Sequence, residues 1–165
     1  MTKENQELVN RALALAKKGE KGSALLIVQA IPWVELPTDL IRKIALIYSY
    51  CLEPELCESA WLEILRRGET RSGDRFMLGT VQMGLAKYDD AVDSFAVELS
   101  NPNSAQLGPY LVATAISMAF SLTKLSRNDE AVHVLEMLDA NAEFHLVGEG
   151  NITKSQILSI IRTSR

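Results

Sequence analysis

Apolar side chains recur every three to four residues along most of this chain, and Gly, Pro, Asn or Ser residues interrupt the pattern at regular intervals. Such spacing is typical of amphipathic α-helices, each with one face buried. It predicts helices at about residues 5–18, 22–31, 38–51, 54–67, 71–86, 88–99, 106–125, 128–139 and 152–163. Residues 141–150 lack the pattern, and we expect an irregular segment there. The sequence therefore predicts an all-α protein in which most helices follow one another in pairs.

Small residues mark each predicted helix pair at a nearly constant period. One column consists of Ala24, Cys57, Ala91 and Ala131, and a second column, twelve residues earlier, consists of Ala12, Ala45, Gly79 and Ala119. Two helices approach closely only where neither carries a bulky side chain. The spacings of 33, 34 and 40 residues in the first column therefore predict a solenoid of four helical hairpins, with about six residues inserted before the last.

The third unit carries Leu78-Gly79, Tyr88-Asp89-Asp90-Ala91, Phe95 and a terminating Pro102. This combination resembles the tetratricopeptide repeat (TPR) family, whose units of about 34 residues stack into a right-handed superhelix with a concave groove. The resemblance implies one domain over residues 1–165, with repeats at about 5–32, 38–67, 71–102 and 106–139 and a C-terminal capping helix at 152–163. Gly19 stands at the family's turn glycine, which Leu52, Ala86 and Ser126 replace in the later units. The alternatives are another helical-repeat family and an irregular helical bundle.

In TPR proteins the first helix of each pair faces the groove. The resemblance therefore implies a peptide-binding groove lined by Val9, Leu13, Lys17, Arg42, Lys43, Leu46, Tyr50, Phe76, Met77, Thr80, Met83, Ile116, Phe120 and Lys124. The methionines and phenylalanines are the expected apolar anchors, because methionine is adaptable and an aromatic ring offers large contact area. The basic side chains could meet the carboxylates of an acidic or C-terminal peptide. At each position the competing interpretation is an ordinary core residue or a solvated charge.

Composition narrows the classes of partner. A formal net charge of −4 and a pI near 5.3 give no overall attraction to nucleic acid or to anionic membranes. No apolar run approaches the roughly 20 residues of a membrane span, and the first residues lack a signal-peptide pattern. We therefore expect a cytoplasmic protein without direct membrane insertion or nucleic-acid binding. Cys51 and Cys57 match no metal or redox motif, and we expect structural thiols.

Catalytic chemistry finds little support in the sequence. The only histidines, His133 and His145, have no neighbouring pattern of a metal site or a catalytic triad, and no phosphate-binding glycine loop is present. Asn151-Ile152-Thr153 matches a glycosylation sequon but is expected to cap the last helix. We expect no enzyme and no cofactor, catalytic or metal-binding residues.

The sequence thus favours a protein–protein interaction module, a small chaperone or an adaptor that binds a peptide or helix of an unknown protein partner. The alternative is a structural subunit of a homo- or hetero-oligomeric assembly, for example a bacterial secretion-system component or chaperone. A third hypothesis, an unrecognised hydrolase or nucleic-acid factor, has no motif behind it. Concentration-dependent association distinguishes the first two.

Overall fold

The computed structural model of the protein describes residues 3–100, 109–146 and 150–163. Within these residues the elements are α1 (Lys3–Lys17), α2 (Lys21–Gln29), a 3₁₀ turn (Trp33–Glu35), α3 (Thr38–Cys51), α4 (Pro54–Arg66), α5 (Asp74–Gly84), α6 (Tyr88–Leu99), α7 (Pro109–Lys124), α8 (Asn128–Glu136), β1 (Glu143–Leu146), β2 (Gly150–Thr153) and α9 (Lys154–Thr163). The expected Pro102 terminator and the expected start of the seventh helix at residue 106 lie outside the described residues. Where the structure describes the chain, none of its helices combines the length and the apolar character that crossing a membrane requires.

The chain divides into two compact units, Met1–Arg71 and Ser72–Arg165, called unit 1 and unit 2 below. Unit 1 contains the pairs α1/α2 and α3/α4, and unit 2 contains α5/α6 and α7/α8, followed by the β-strands and α9. In each pair a turn of two or three residues joins two helices that pack on each other. The prediction of a helical-repeat fold is therefore confirmed within each unit. The single domain over residues 1–165 stays a prediction.

The small residues lie where the helices of a pair meet. Both columns are buried in all four pairs. In the second pair the Cys57 thiol donates a hydrogen bond to the Ala45 carbonyl at 3.2 Å. In the third pair the ring of Phe95 lies over Gly79, so closely that a Cβ added to Gly79 would lie 2.6 Å from Phe95 Cε1. The side chains of these columns are small because the neighbouring helix occupies the space beside them.

The four turns inside the pairs share one backbone geometry. Each contains a residue with positive φ, and these are Gly19 (84°), Leu52 (63°), Ala86 (58°) and Ser126 (60°). In each turn the next amide donates to the carbonyl five residues earlier, at 2.9 to 3.0 Å, as in a Schellman motif. The positions where the sequence departs from the turn glycine therefore keep the left-handed conformation. The left-handed conformation costs a non-glycine residue about 1–2 kcal/mol.

The segment expected to be irregular contains an antiparallel hairpin, here called the C-terminal hairpin (β1 and β2). Phe144 pairs with Ile152, and His145 pairs with Asn151. Alternation along β1 buries Leu146 and half-buries Phe144, while Glu143 and His145 face solvent. Two strands of four residues do not form a stable sheet alone, so the hairpin depends on the helices it packs against.

The last helix begins at Lys154, two residues after the expected start, because the preceding residues belong to β2. The Gln156 amide donates to Thr153 Oγ1 at 3.1 Å, and the Thr153 amide donates to Gln156 Oε1 at 2.7 Å. These reciprocal bonds form a capping box. The expectation that residues 151–153 cap the last helix is therefore confirmed, and the structure identifies Thr153 as the capping residue. Helix α9 packs on α7 and α8 through Ile157 and Ile161, as expected of a capping helix.

Candidate functional site

Six of the predicted groove residues of unit 1 remain at its surface and form what we call the α1–α3 face: Leu13, Lys17, Arg42, Lys43, Leu46 and Tyr50. Lys43 Nζ donates to Asn10 Oδ1 at 2.7 Å, and this bond joins α3 to α1 on that face. The ring of Tyr50 is 47% exposed. Val9 is the exception, because its side chain is fully buried in the unit 1 core. The prediction that Val9 contacts a ligand is therefore corrected.

A cleft of about 470 Å³ opens in the same part of unit 1. It is lined by Gln6, Pro37, Asp39, Leu40, Arg42, Lys43 and Arg71, and we call it the cationic cleft. Asp39 Oδ1 accepts from Arg42 at 2.9 Å and lies 2.7 Å from a guanidinium nitrogen of Arg71. The hydrogen bond from Arg71 is the largest influence lowering the pKa of Asp39. Arg42 and Arg71 thus both contact the Asp39 carboxylate, and Lys43 is a third basic residue in the lining of the cleft.

A backbone group near the cleft fixes the position of Arg42. Arg42 also donates to the carbonyl oxygen of Glu69, which follows α4, so its guanidinium links α3 to the end of unit 1. Arg42 and Lys43 belong to the first-helix set expected from the sequence. Asp39 and Arg71 were missed, because Asp39 lies in the first turn of α3 and Arg71, which was expected to begin the fifth helix, lies three residues before α5. Only the folded chain brings Arg71 to Asp39.

The predicted groove residues of unit 2 are largely covered. Phe76, Ile116 and Phe120 are buried, with exposed fractions of 6%, 0% and 5%, so they do not present a ligand-binding surface in this structure. Met77, Thr80 and Met83 are partly buried, and Lys124 is exposed with its Nζ 4.8 Å from the centre of the Phe120 ring. The prediction of an open first-helix surface is corrected here.

The C-terminal hairpin contributes to that burial. The centres of the Phe76 and Phe144 rings are 6.0 Å apart, in an edge-to-face arrangement. The centre of the Phe76 ring also lies 6.1 Å from that of Phe95 and 5.7 Å from that of Tyr110. Leu146, from the same strand, belongs to the apolar cluster that contains Ile116 and Phe120. Sequence reasoning missed both hairpin residues. The sequence carries only a short signal for them, the alternation of polar and apolar residues over the four positions from Glu143 to Leu146.

The two histidines each lie beside one polar side chain. His133 Nδ1 lies 3.1 Å from Glu136 Oε2, and His145 Nδ1 lies 3.1 Å from Asn151 Oδ1. In the part of the chain that the structure describes, no three His, Cys, Asp or Glu side chains are placed to hold a metal ion. Burial raises the pKa of the Cys57 thiol to about 11, so this thiol stays protonated at neutral pH.

Comparison with known proteins supports the fold. No family model matches the chain, and no curated protein sequence matches it. Among solved structures, a mutant of MamA is 20% identical with a TM-score of 0.51, over 80% of this chain and 93% of that one. MamA from AMB-1 is 18% identical (TM-score 0.48, 81% and 88% covered), and MamA from MSR-1 is 15% identical (0.46, 99% and 100%). The likeness to the mutant structure, together with the helix pairs, shows a TPR-like helical-repeat fold.

Proposed function

We propose that this chain is a non-catalytic protein-interaction module, an adaptor or small chaperone, that binds an acidic peptide segment at the α1–α3 face of unit 1. The observation that carries the proposal is the cationic cleft, whose lining contains the basic residues Arg42, Lys43 and Arg71 and one acidic residue, Asp39. Guanidinium and ammonium groups bind carboxylates through charge-assisted hydrogen bonds. The cleft therefore favours a partner segment that carries acidic side chains.

Apolar contacts on the same helices extend the surface beyond the cleft. Lys43, Leu46 and Tyr50 are spaced by three and four residues along α3, so they share one side of the helix. Leu46 is partly buried and Tyr50 about half exposed, which leaves apolar area beside the positive charge. Tyrosine and arginine are enriched among the residues that dominate protein interfaces. The surface therefore fits a peptide that carries acidic and apolar side chains together.

The positive charge of the cleft is a local feature. Unit 1 contains ten basic and ten acidic residues, so its formal charge is zero. The whole chain carries −4, which opposes binding to a nucleic-acid backbone. Attraction limited to one cleft gives selectivity for a short acidic segment, and it steers that segment to one place.

The test measures partner retention quantitatively. Wild-type protein and the variant Lys43→Glu are immobilised and incubated with lysate of the native host, and bound proteins are quantified by mass spectrometry at low and high salt. Lys18→Glu, an equal charge change at an exposed residue of unit 1 outside the α1–α3 face, is the control. Because Lys43 lines the cleft, we expect at least a tenfold loss of the retained partner for Lys43→Glu and little change for the control. Equal retention by wild type and Lys43→Glu would refute the proposal.

A second function, a subunit of an oligomeric assembly, has one observation in its favour. Met137, the residue directly after α8, is 52% exposed, and Ile160 of α9 is 46% exposed; α8 and α9 pack together in unit 2. Exposed apolar side chains on neighbouring elements are typical of subunit interfaces. Sedimentation velocity over a hundredfold concentration range checks this function. If the assembly uses these residues, a concentration-dependent increase in mass disappears in the variant Met137→Lys/Ile160→Lys.

A further inference from the structure

The segment that joins α4 to α5 is attached to helix α3 by side chains of the cationic cleft. This segment, residues 68–73, is called the linker below. It begins and ends with a glycine at positive φ, Gly68 (71°) and Gly73 (90°). Residues 69–72 between them are exposed and belong to no helix, and the division between units 1 and 2 falls after Arg71. The side chains that attach the linker to α3 therefore control how freely it moves.

The first attachment is the ion pair between Arg71 of the linker and Asp39 of α3. Asp39 Oδ1 lies 2.7 Å from Arg71 Nη2, and the same oxygen accepts from Arg42 Nη1 at 2.9 Å. The side chains of Arg71 and Asp39 are 63% and 59% exposed. Because an exposed ion pair contributes little to stability, a carboxylate of another molecule is able to replace Asp39.

The second attachment is a hydrogen bond from α3 to the backbone of the linker. Arg42 donates to the carbonyl oxygen of Glu69, and the side chain of Arg42 is only 13% exposed. The same guanidinium therefore contacts both the linker backbone and the Asp39 carboxylate. Of the three basic residues that line the cleft, Arg42 holds the linker and Arg71 is part of it. The donors available to an acidic ligand are thus the donors that attach the linker.

The end of the linker that enters unit 2 is attached in a different way. The Gly73 amide donates to Glu98 Oε1 of α6 at 2.9 Å, and Glu98 is 3% exposed. A hydrogen bond to a buried carboxylate is stronger than one between neutral groups. This end should stay fixed when the cleft changes, which makes the Gly73 amide an internal reference for measurements on residues 69–72.

We propose that the linker is a ligand-sensitive joint: an acidic segment that binds the cationic cleft takes over Arg42 and Arg71 and releases residues 69–72 from α3. A guanidinium that pairs with a carboxylate of the ligand is no longer held by the carboxylate fixed on α3. Binding at unit 1 thereby changes the conformational freedom of the segment that leads into unit 2. The coupling rests on the function proposed for the cleft, whereas the attachment to α3 is testable without a ligand.

Nuclear magnetic resonance relaxation of the ligand-free protein tests the attachment. Backbone order parameters of residues 69–72 are compared in wild type, in Asp39→Asn and in the matched control Glu55→Gln. Each substitution removes one exposed carboxylate from the first turn of a helix of unit 1, so the effect on the helix dipole is alike.

We expect the order parameters of residues 69–72 to fall by at least about 0.1 in Asp39→Asn, from near the rigid-backbone value of about 0.85. The control and the Gly73 amide should not change. Equal order parameters in wild type and Asp39→Asn would overturn the proposal, because the linker would then be held by something other than this ion pair.

A double-mutant cycle identifies the pair. Arg71→Gln should lower the same order parameters, and Asp39→Asn/Arg71→Gln should resemble Arg71→Gln alone, because the second substitution has no partner left to remove. Two fully additive decreases would show that Asp39 and Arg71 act separately, and the ion pair would not be the attachment.

Titration with a synthetic acidic peptide tests the coupling. The probe is acetylated tetraglutamate, the control peptide is acetylated tetraglutamine, and binding is followed at the backbone amides of Arg42 and Lys43. Saturation of wild type with tetraglutamate should lower the order parameters of residues 69–72, and tetraglutamine should leave them unchanged. Asp39→Asn should bind tetraglutamate at least threefold more tightly than Glu55→Gln does, because the competing carboxylate is gone.

The outcomes separate this inference from the function proposed above. If tetraglutamate binds at Arg42 and Lys43 while residues 69–72 keep or increase their order, the joint is refuted and the proposed function stands. If tetraglutamate does not bind, the coupling is refuted together with the proposed function.

Discussion

Units 1 and 2 use the same helical hairpin but treat the surface of its first helices differently. Unit 1 leaves Leu46 and Tyr50 accessible beside a positively charged cleft. Unit 2 buries Phe76 and Phe120, and its own C-terminal hairpin packs in the clusters that contain them. Apolar content alone does not distinguish the two surfaces. Whether such a face becomes an interface or a core depends on what the rest of the chain places on it.

The units also differ in charge and in the use of polar groups. Unit 1 is neutral, whereas unit 2, with seven basic and eleven acidic residues, has a formal charge of −4. In unit 2 the buried Glu98 accepts a hydrogen bond from the Gly73 amide at 2.9 Å, immediately before α5, and Ser94 donates to Gln82 at 2.7 Å. These buried polar groups are satisfied by neighbouring elements. Unit 2 therefore uses polar side chains to fix its helices, while unit 1 keeps basic side chains at a surface.

How closely the paired helices cross gives the most direct test of the difference between units 1 and 2. Unit 1 has alanine at both positions of its first-helix column, but unit 2 has Gly79, whose added Cβ would lie within 3 Å of three atoms of the buried Phe95 ring. We expect Gly79→Ala to lower the free energy of unfolding by about 1–3 kcal/mol through overpacking. Urea unfolding followed by circular dichroism measures the change.

Gly84→Ala is the matched control for this prediction. Gly84 ends the same helix, its φ is ordinary, and an added Cβ would meet nothing within 4 Å. The same substitution should therefore stabilise the protein, by about 0.4–1 kcal/mol, by restricting the unfolded chain. Equal effects at the two positions would mean that the third pair is no more tightly crossed than the pairs of unit 1.

Glycine substitutions in the turns within the pairs should change stability less than Gly79→Ala does, and they should stabilise the protein. Leu52 in unit 1 and Ala86 in unit 2 hold the left-handed conformation that Gly19 holds without strain. Replacing either by glycine should raise the free energy of unfolding by about 0.5–1 kcal/mol, because relief of about 1–2 kcal/mol of strain is partly offset by the freer unfolded chain. Leu52 is 72% exposed, so little apolar burial is lost there. Thermal unfolding of each single variant checks the prediction.

Gly19→Ala provides the reverse substitution and should destabilise by a similar amount. Gly22→Ala, in α2 at an ordinary φ with open space around its Cα, should not destabilise. If Leu52→Gly and Ala86→Gly both weaken the protein, the four turns do not share the strained geometry, and the equivalence of the pairs across the two units is lost.

The sequence was enough to predict the helices and their pairing. Helix periodicity is a local signal, and the small columns report the closest approach within one hairpin, as at Ala45 and Cys57. The turn positions were also predictable, since Leu52, Ala86 and Ser126 fall where a glycine is expected. These features depend on residues less than 15 positions apart in the chain.

The missed features depend on contacts that are distant in the sequence. Phe76 is buried partly by Phe144, 68 residues later in the chain, and strands of four residues give too short a pattern to identify. The cationic cleft was only half predicted, because Lys43 lies on a first helix while Arg71 follows the last helix of unit 1. Local patterns thus identified the candidate positions, and tertiary packing decided which of them remain accessible.

The smallest expected effect is on the pH dependence of stability, which should differ between the two units. In unit 1 a hydrogen bond from Arg66 at 2.6 Å and a second from Arg67 at 2.8 Å lower the pKa of Glu63 to about 2 from an ordinary 4.5. In unit 2 the hydrogen bond from Arg127 likewise lowers the pKa of Glu130. Glu63 is the better shielded of the two, with 14% of its side chain exposed against 57% for Glu130. The effect in unit 1 should therefore be the larger.

The sign follows from the lowered pKa of Glu63. A carboxylate with a lower pKa in the folded state stabilises the protein fully above pH of about 4.5, and this stabilisation is lost as the pH falls towards about 2. Glu63→Gln removes the titrating group, so its stability deficit relative to wild type should shrink steadily between about pH 5 and pH 2.5. Glu130→Gln should show a weaker trend, because its more exposed ion pair is better screened. Urea unfolding at a series of pH values measures both. If the free energies of unfolding of wild type and Glu63→Gln differ by a constant amount over this range, the contacts of Arg66 and Arg67 with the Glu63 carboxylate are not formed when the protein is in solution.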